Sequence, residues 1–152
     1  MSRAFVKEPD GAEAQELPDR PISQHPNLVT PQGLARIEDT LTRLHEQHRQ
    51  ATGDRAALAR IGRDLRYWTA RRSTAQLMPA PEDNGKVQFG STVTIVRDDG
   101  RRQTFRIVGE DEAEQAQGTL SYVSPVARAL MNRAVGEVVT AGSGEAEIVE
   151  IR

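Results

Sequence analysis

The chain has no cysteine, which removes a disulfide framework and any thiolate zinc site from consideration. Aromatic residues make up only 4% and hydrophobic residues 37% of the 152 positions, too little for one large apolar core. No apolar run approaches the ~18 residues that a membrane-spanning helix needs. The first residues, MSRAFVKEPDG, lack the apolar stretch of a secretion signal. These absences lead to an expectation of a cytoplasmic protein with no membrane partner.

The net charge of -2 conceals an uneven distribution. Residues 1–27 hold three basic and five acidic side chains, residues 28–78 nine arginines against five acids, and residues 79–152 eight basic against twelve acidic side chains. A basic middle segment has two readings. It is a solvated helix face, or it is a surface that approaches phosphate, since arginine clusters supply the electrostatic part of nucleic-acid affinity. No aromatic residues interleave with these arginines as a base-stacking platform requires.

Residues 1–27 are polar and contain Pro18, Pro21 and Pro26, so an extended or disordered arm is expected. Thr30-Pro31 then marks a helix start: the hydroxyl caps free N–H groups and proline suits the first helical position. An apolar seam follows at Leu34, Ile37, Leu41, Leu44, His48 and Ala51, with the alternating three- and four-residue steps of a heptad. Gly53 is placed to end that helix in a left-handed conformation, and Asp54 to cap the next. A second seam runs Leu58, Ile61, Leu65, Trp68, Arg72, Ala75. Folding at Gly53 pairs Leu44 with Leu65 and Leu41 with Trp68, which predicts an antiparallel two-helix coiled coil over 28–78. Pro79 and Pro81 open a linker over 79–85.

From residue 86 onward the period changes to two. Val93 and Ile95 alternate with threonines, and Phe105 and Ile107 with Thr104 and Arg106, around an Asp98-Asp99-Gly100 turn. A strand is expected over Thr119–Val123, then a helix from Ser124-Pro125 to Gly136, then a hairpin of Glu137–Thr140 and Glu145–Ile151. The fold class predicted is α+β: a coiled-coil hairpin followed by a curved antiparallel sheet with one helix on its concave side.

Three segments, F-G-S-T-V-T, F-R-I-V-G-E-D-E-A and S-P-V-A-R-A-L, resemble the GreA/GreB family of bacterial transcription elongation factors in order and spacing. Leu58-Ala59-Arg60-Ile61 and Leu65-Arg66-Tyr67 are similar to the second hairpin helix of the GreB type. The resemblance covers about Leu28 to Ile151 and implies an FKBP-like second domain over 86–152. It implies a regulator of RNA polymerase, not an enzyme, that needs no cofactor of its own. The domain would dock on the β′ coiled coil at the rim of the secondary channel, and the hairpin would enter the channel. Family members carry tip acids that help hold a catalytic Mg²⁺ in the polymerase and so promote cleavage of backtracked RNA.

The expected docking residues are Ser124, Pro125 and Arg128, with Glu110, Asp111 and Glu112 on a neighbouring acidic loop. Each also has a plain structural reading, as a helix start or a solvated turn. Val123 stands where the family often has Asp or Asn. The tip departs further. The family pattern is roughly G-D-x-x-E-N, whereas this chain reads Gly53-Asp54-Arg55-Ala56-Ala57-Leu58. Each arm is about ten residues shorter, ~15 Å of reach at 1.5 Å per residue. A hard divalent ion needs several oxygen ligands, so no metal site is assigned. Asp54 is read as a helix cap, and as a metal-positioning acid only within the polymerase complex.

The leading expectation is therefore an elongation factor with little or no cleavage stimulation, acting as a monomer. The nearest alternative is a regulator of the Rnk type, with a similarly short hairpin, that competes with cleavage factors. A peptidyl-prolyl isomerase would need an apolar, aromatic pocket. A stand-alone nucleic-acid-binding module would use the hairpin arginines, which within the polymerase complex could also touch RNA or DNA.

Overall fold

The computed structural model describes residues 17–152. It divides into two compact units, one containing residues 37–73 with the segment up to Ile22, the other residues 23–36 with 74–152.

In the first unit, α1 (Pro31–Gln50, whose opening turns belong to the second unit) and α2 (Arg55–Thr74) are joined by a tight turn. Each helix has 20 residues, about 30 Å at 1.5 Å per residue. Gly53 carries the turn at φ +87°, the left-handed region where a side chain would be strained. The Arg72–Glu38 ion pair at 3.1 Å brings the end of α2 against the beginning of α1, so the helices run antiparallel. That pair lies one residue step from the register expected for Leu41 with Trp68 and Leu44 with Leu65.

Ile37 and Leu44 are buried, and Leu41, Leu58, Ile61, Leu65 and Trp68 are half-buried, as a narrow two-helix seam requires. Two positions differ from the heptad reading. His48 is exposed, because beside the turn no further layer covers it. Arg72 is exposed and ion-paired, while its neighbour Arg71 is only 2% exposed and takes the inward position. Residues 17–27 of the arm have no regular helix or strand, and 17–22 lie along α2. The first sixteen residues of the expected arm lie outside the described residues.

The second unit is built on a five-stranded sheet. Its strands are β3 (Thr92–Arg97), β4 (Arg102–Val108), β5 (Thr119–Ser121), β6 (Val138–Ala141) and β7 (Gly144–Ile151), in the order β5-β4-β3-β7-β6. Four strands pair antiparallel, with an irregularity in β3 between Thr94 and Ile95 opposite β7. The edge pair departs from the expected pattern: β5 runs parallel to β4, with Ile107 opposite Leu120 and Val108 opposite Ser121. Two short 3-10 turns, Glu110–Glu112 and Gln115–Gln117, provide the crossover that a parallel neighbour needs. A separate two-residue parallel pair joins β1 (Leu28–Val29) to β2 (Gln76–Leu77), tying together the segments that precede α1 and follow α2.

Val93, Ile95 and Ile107 are fully buried, as the period-two pattern expects, but the alternation is incomplete: Thr94, expected on the outer face, is also buried at 4%, and Phe105 and Arg106 are both half-buried. Val93, Ile95 and Ile107 form one core with Val87, Leu120, Val139, Ala141, Ala146, Ile148 and Ile151. The helix α3 (Pro125–Leu130) adds Ala127 and Leu130, both 0% exposed. It ends at Leu130, not Gly136. Asn132 adopts φ +65°, and its N–H donates to the Val87 carbonyl at 2.8 Å, while Val87 N–H donates to Arg133. Those two bonds pull the chain out of the helix to close a bridge with the strand approach.

Candidate functional site

The residues singled out by the sequence lie at three places: the hairpin tip, the edge of the sheet at β4 and β5, and the buried start of α1.

At the tip, Gly53, Asp54 and Arg55 are all exposed. Asp54 Oδ1 accepts from the Ala57 N–H at 3.1 Å, and the Asp54 carbonyl accepts from Leu58 N–H at 2.9 Å. It is thus the N-cap of α2, satisfying one of the free donors at that helix end. Glu46, the acid on α1 nearest the turn, is also engaged. Arg49 donates to it, Gln50 Nε2 donates to it at 3.1 Å, and the Arg49 hydrogen bond and charge hold its carboxyl below the usual range. Among the described residues no group of three His, Asp or Glu side chains is placed to hold a metal ion.

At the sheet edge, the parallel register decides the geometry. β4 leads into Gly109–Glu112 and β5 leads into Ser124–Pro125. Because Val108 pairs with Ser121 in the same direction, both segments leave the sheet from the same end. An antiparallel pair would have sent them to opposite ends. Ser124 caps α3, its side chain accepting from Ala127 N–H at 3.3 Å, with Pro125 in the first turn. Pro125 and Arg128 are exposed on the outer side of that short helix, while Ala127 and Leu130 face the core. Glu110 and Asp111 are half-buried, and Glu110 accepts from the Ser23 hydroxyl at 2.9 Å.

Glu112, expected on the docking surface, is not presented there. It is 7% exposed. Its Oε2 accepts from the backbone N–H of Thr30 at 3.0 Å and of Gly109 at 3.1 Å, and its Oε1 accepts from the Thr30 hydroxyl. Thr30 Oγ1 in turn accepts from Gly33 N–H at 3.0 Å. A carboxylate is therefore stapled under the N-terminus of α1, where the helix dipole favours negative charge. Gly33 belongs to the same fit, because a Cβ there would overlap the Glu112 carboxyl. No short-range motif pairs Thr30 with Glu112, 82 positions apart, so nothing local in the sequence sets Glu112 apart from Glu110 and Asp111. A visible clue was the glycine inside the first turn of α1, a residue that otherwise weakens a helix.

Comparison with known proteins identifies the family. A family model described as transcription elongation factor GreA/GreB, C-terminal, matches residues 82–152. The elongation factor GreB of Neisseria meningitidis serogroup B is 33% identical over 148 residues, covering 82% of this chain and 91% of that protein. The elongation factor GreA of Alkalilimnicola ehrlichii is 36% identical over 151 residues, covering 82% of this chain and 96% of that protein.

The chain belongs to the GreA/GreB family of transcription elongation factors.

A solved structure, GreA factor homolog 1 of Thermus thermophilus, is similar at 21% identity over 84% of this chain and 99% of that one, with a TM-score of 0.41. The match to the Neisseria factor spans 148 positions but uses 82% of a 152-residue chain, so that relative holds residues this GreA/GreB-family chain lacks. No helix among the described residues is long and apolar enough to cross a membrane.

Proposed function

We propose that this GreA/GreB-family chain docks on RNA polymerase at the secondary-channel rim and regulates elongation as a monomer, with weak or no stimulation of transcript cleavage. Pro125 and Arg128 would form the contact to the β′ coiled coil, Ser124 would hold their helix in place, and Glu110 and Asp111 would add an acidic flank. The acidic flank excludes Glu112, whose oxygens are already taken.

The observation that carries the cleavage half is the tip. Its single turn acid, Asp54, caps α2, and the position of the family's second acid is Ala57. The two hairpin helices have 20 residues each, about 30 Å of reach. A hard cation wants several oxygens, so charge and reach fall short together. Hairpin arginines such as Arg43, Arg55 and Arg60 are exposed and suit phosphate contacts to RNA or DNA within that complex. A regulator of the Rnk type, competing with cleavage factors for the same rim, is the nearest variant of this reading and rests on the same short arms.

The isomerase reading finds no support in the site. Phe89 is buried against Tyr122, whose hydroxyl donates to the Pro26 carbonyl, and Phe105 packs on the core. A concave surface of about 400 Å³ at the opposite end of β3 and β4 is lined by Arg97, Asp98, Asp99, Arg101 and Glu145. That lining is charged, unlike the apolar wall an isomerase needs.

Binding to purified core RNA polymerase tests the docking half. Pro125→Glu places a charge at the exposed edge without touching the core, and is expected to weaken binding about tenfold, roughly 1.4 kcal/mol. An unchanged affinity of folded Pro125→Glu protein removes this edge from the contact.

A further inference from the structure

Residues 17–22 carry interactions that the polymerase reading leaves unused. Pro18-Asp19-Arg20-Pro21 lies along one face of α2. Arg20 Nη1 donates to Asp64 Oδ1 at 3.2 Å, and the Arg20 guanidinium sits 3.9 Å from the centre of the Tyr67 ring. Arg66 Nε donates to Asp19 Oδ1 at 2.5 Å, and Arg66 Nη2 donates to the Leu17 carbonyl at 3.3 Å. The charges are reciprocal: an acid of the arm meets an arginine of α2, and an arginine of the arm meets an acid of α2. Asp64, Tyr67 and Trp68 stand at helical spacing on one stripe. Tyr67 and Trp68 pack edge to face at 5.1 Å, with Arg20 5.8 Å from the Trp68 ring.

We propose that residues 17–22 form a releasable strap that covers the Tyr67–Trp68 face of α2 and controls its exposure to a protein partner. Prolines on both sides of the Asp-Arg pair restrict it to extended conformations, so little chain entropy is lost when it lies down. The contacts that hold it are open to solvent: side-chain exposures are 37% and 35% for Arg20 and Asp64, and 50% and 73% for Arg66 and Asp19. Exposed ion pairs are individually weak and screened by salt. The closed strap is therefore favoured by several small terms acting together, and competing charge opens it. What it uncovers is an aromatic pair flanked by one acid and one arginine, the composition of a protein-binding anchor. A partner surface bearing its own adjacent acid and arginine would replace the strap contact for contact.

Trp68 is the chain's single tryptophan, which makes the strap directly observable. The test is acrylamide quenching of Trp68 fluorescence in the full chain, at about 0.1 M and about 1 M salt, where the screening length falls from about 10 Å to about 3 Å. Far-UV circular dichroism checks that the hairpin stays helical. In the wild-type protein, quenching is expected to rise with salt. Arg20→Ala should shift the closed-to-open ratio by about two- to fivefold, the range of an exposed ion pair and cation–π contact. Its quenching should then be high already at low salt. Asp19→Ala should act in the same direction, and the exchanged pair Arg20→Asp with Asp64→Arg should restore salt-sensitive protection. Equal quenching of wild type and Arg20→Ala at both salts, with helicity intact, would overturn the strap. Because the readout uses the protein alone, that result would leave polymerase docking standing, just as a failure of docking would leave the strap standing.

Discussion

The two long helices begin under opposite conditions. The N-terminus of α1 is closed by Thr30 and, beneath it, by a Glu112 carboxylate that is 7% exposed and accepts three hydrogen bonds. The N-terminus of α2 is closed by one exposed Asp54, through one bond from Ala57 N–H at 3.1 Å. Both are carboxylates answering the same shortage of acceptors at a helix start. Burial separates them. At α1 the acid cannot be withdrawn without leaving several donors unpaired in the interior, whereas at the tip water can replace it. An acid expected in the docking loop is thus committed to architecture, and the acid at the hairpin tip, read as a helix cap, is the more readily replaced one.

That comparison can be broken at four strengths. The largest effect is expected from Leu44→Asp, which puts an unpaired charge on the buried seam between α1 and α2. A loss of roughly 3 kcal/mol or more should follow, read as reduced helicity and a lower midpoint in thermal or denaturant melts. Full helicity of that variant would mean the seam is assigned to the wrong residues. Next comes Glu112→Ala, expected to cost about 2–4 kcal/mol because it orphans buried donors and leaves a void beside Gly33. Urea melts followed by Tyr122 and backbone signals would show it, and a change within experimental error would contradict the staple. Asp54→Ala should cost only about 1 kcal/mol, as an exposed cap does. If it destabilised as much as Glu112→Ala, the contrast between the two helix starts would be lost. The smallest effect is expected from Ala57→Glu, which adds a second acid at the tip of helices that keep their 20-residue length, and should leave cleavage stimulation unchanged within the assay.

Elements set by local rules were legible in the residues themselves. The Thr30-Pro31 start, the turn at Gly53, the Asp54 cap, the turn at Asp98-Asp99-Gly100 and the Ser124-Pro125 start each depend on side chains within a few positions, and each stands where it was expected. What could not be read depends on partners far along the chain. The Val87–Asn132 bridge ends α3 six residues before the glycine that marked its expected end. The parallel pairing of β4 and β5 hides in a strand of three residues, too short for period to show direction. Arg71 and Arg72 are indistinguishable in a heptad count that tolerates steps of three or four. Glu112 differs from Glu110 and Asp111 only by which donors surround it after folding. Of the candidate docking residues, the pattern therefore located the two segments, and the sheet register supplied the reason they share one end.

The most direct test of the central claim is transcript cleavage by purified RNA polymerase stalled in a backtracked state, measured with and without this protein. A cleavage rate close to that of the polymerase alone is expected, with antagonism when excess protein is added together with a full-length cleavage factor. Robust cleavage by the wild-type chain that disappears in Asp54→Ala would contradict it, and would make Asp54 a metal-positioning residue in addition to a helix cap.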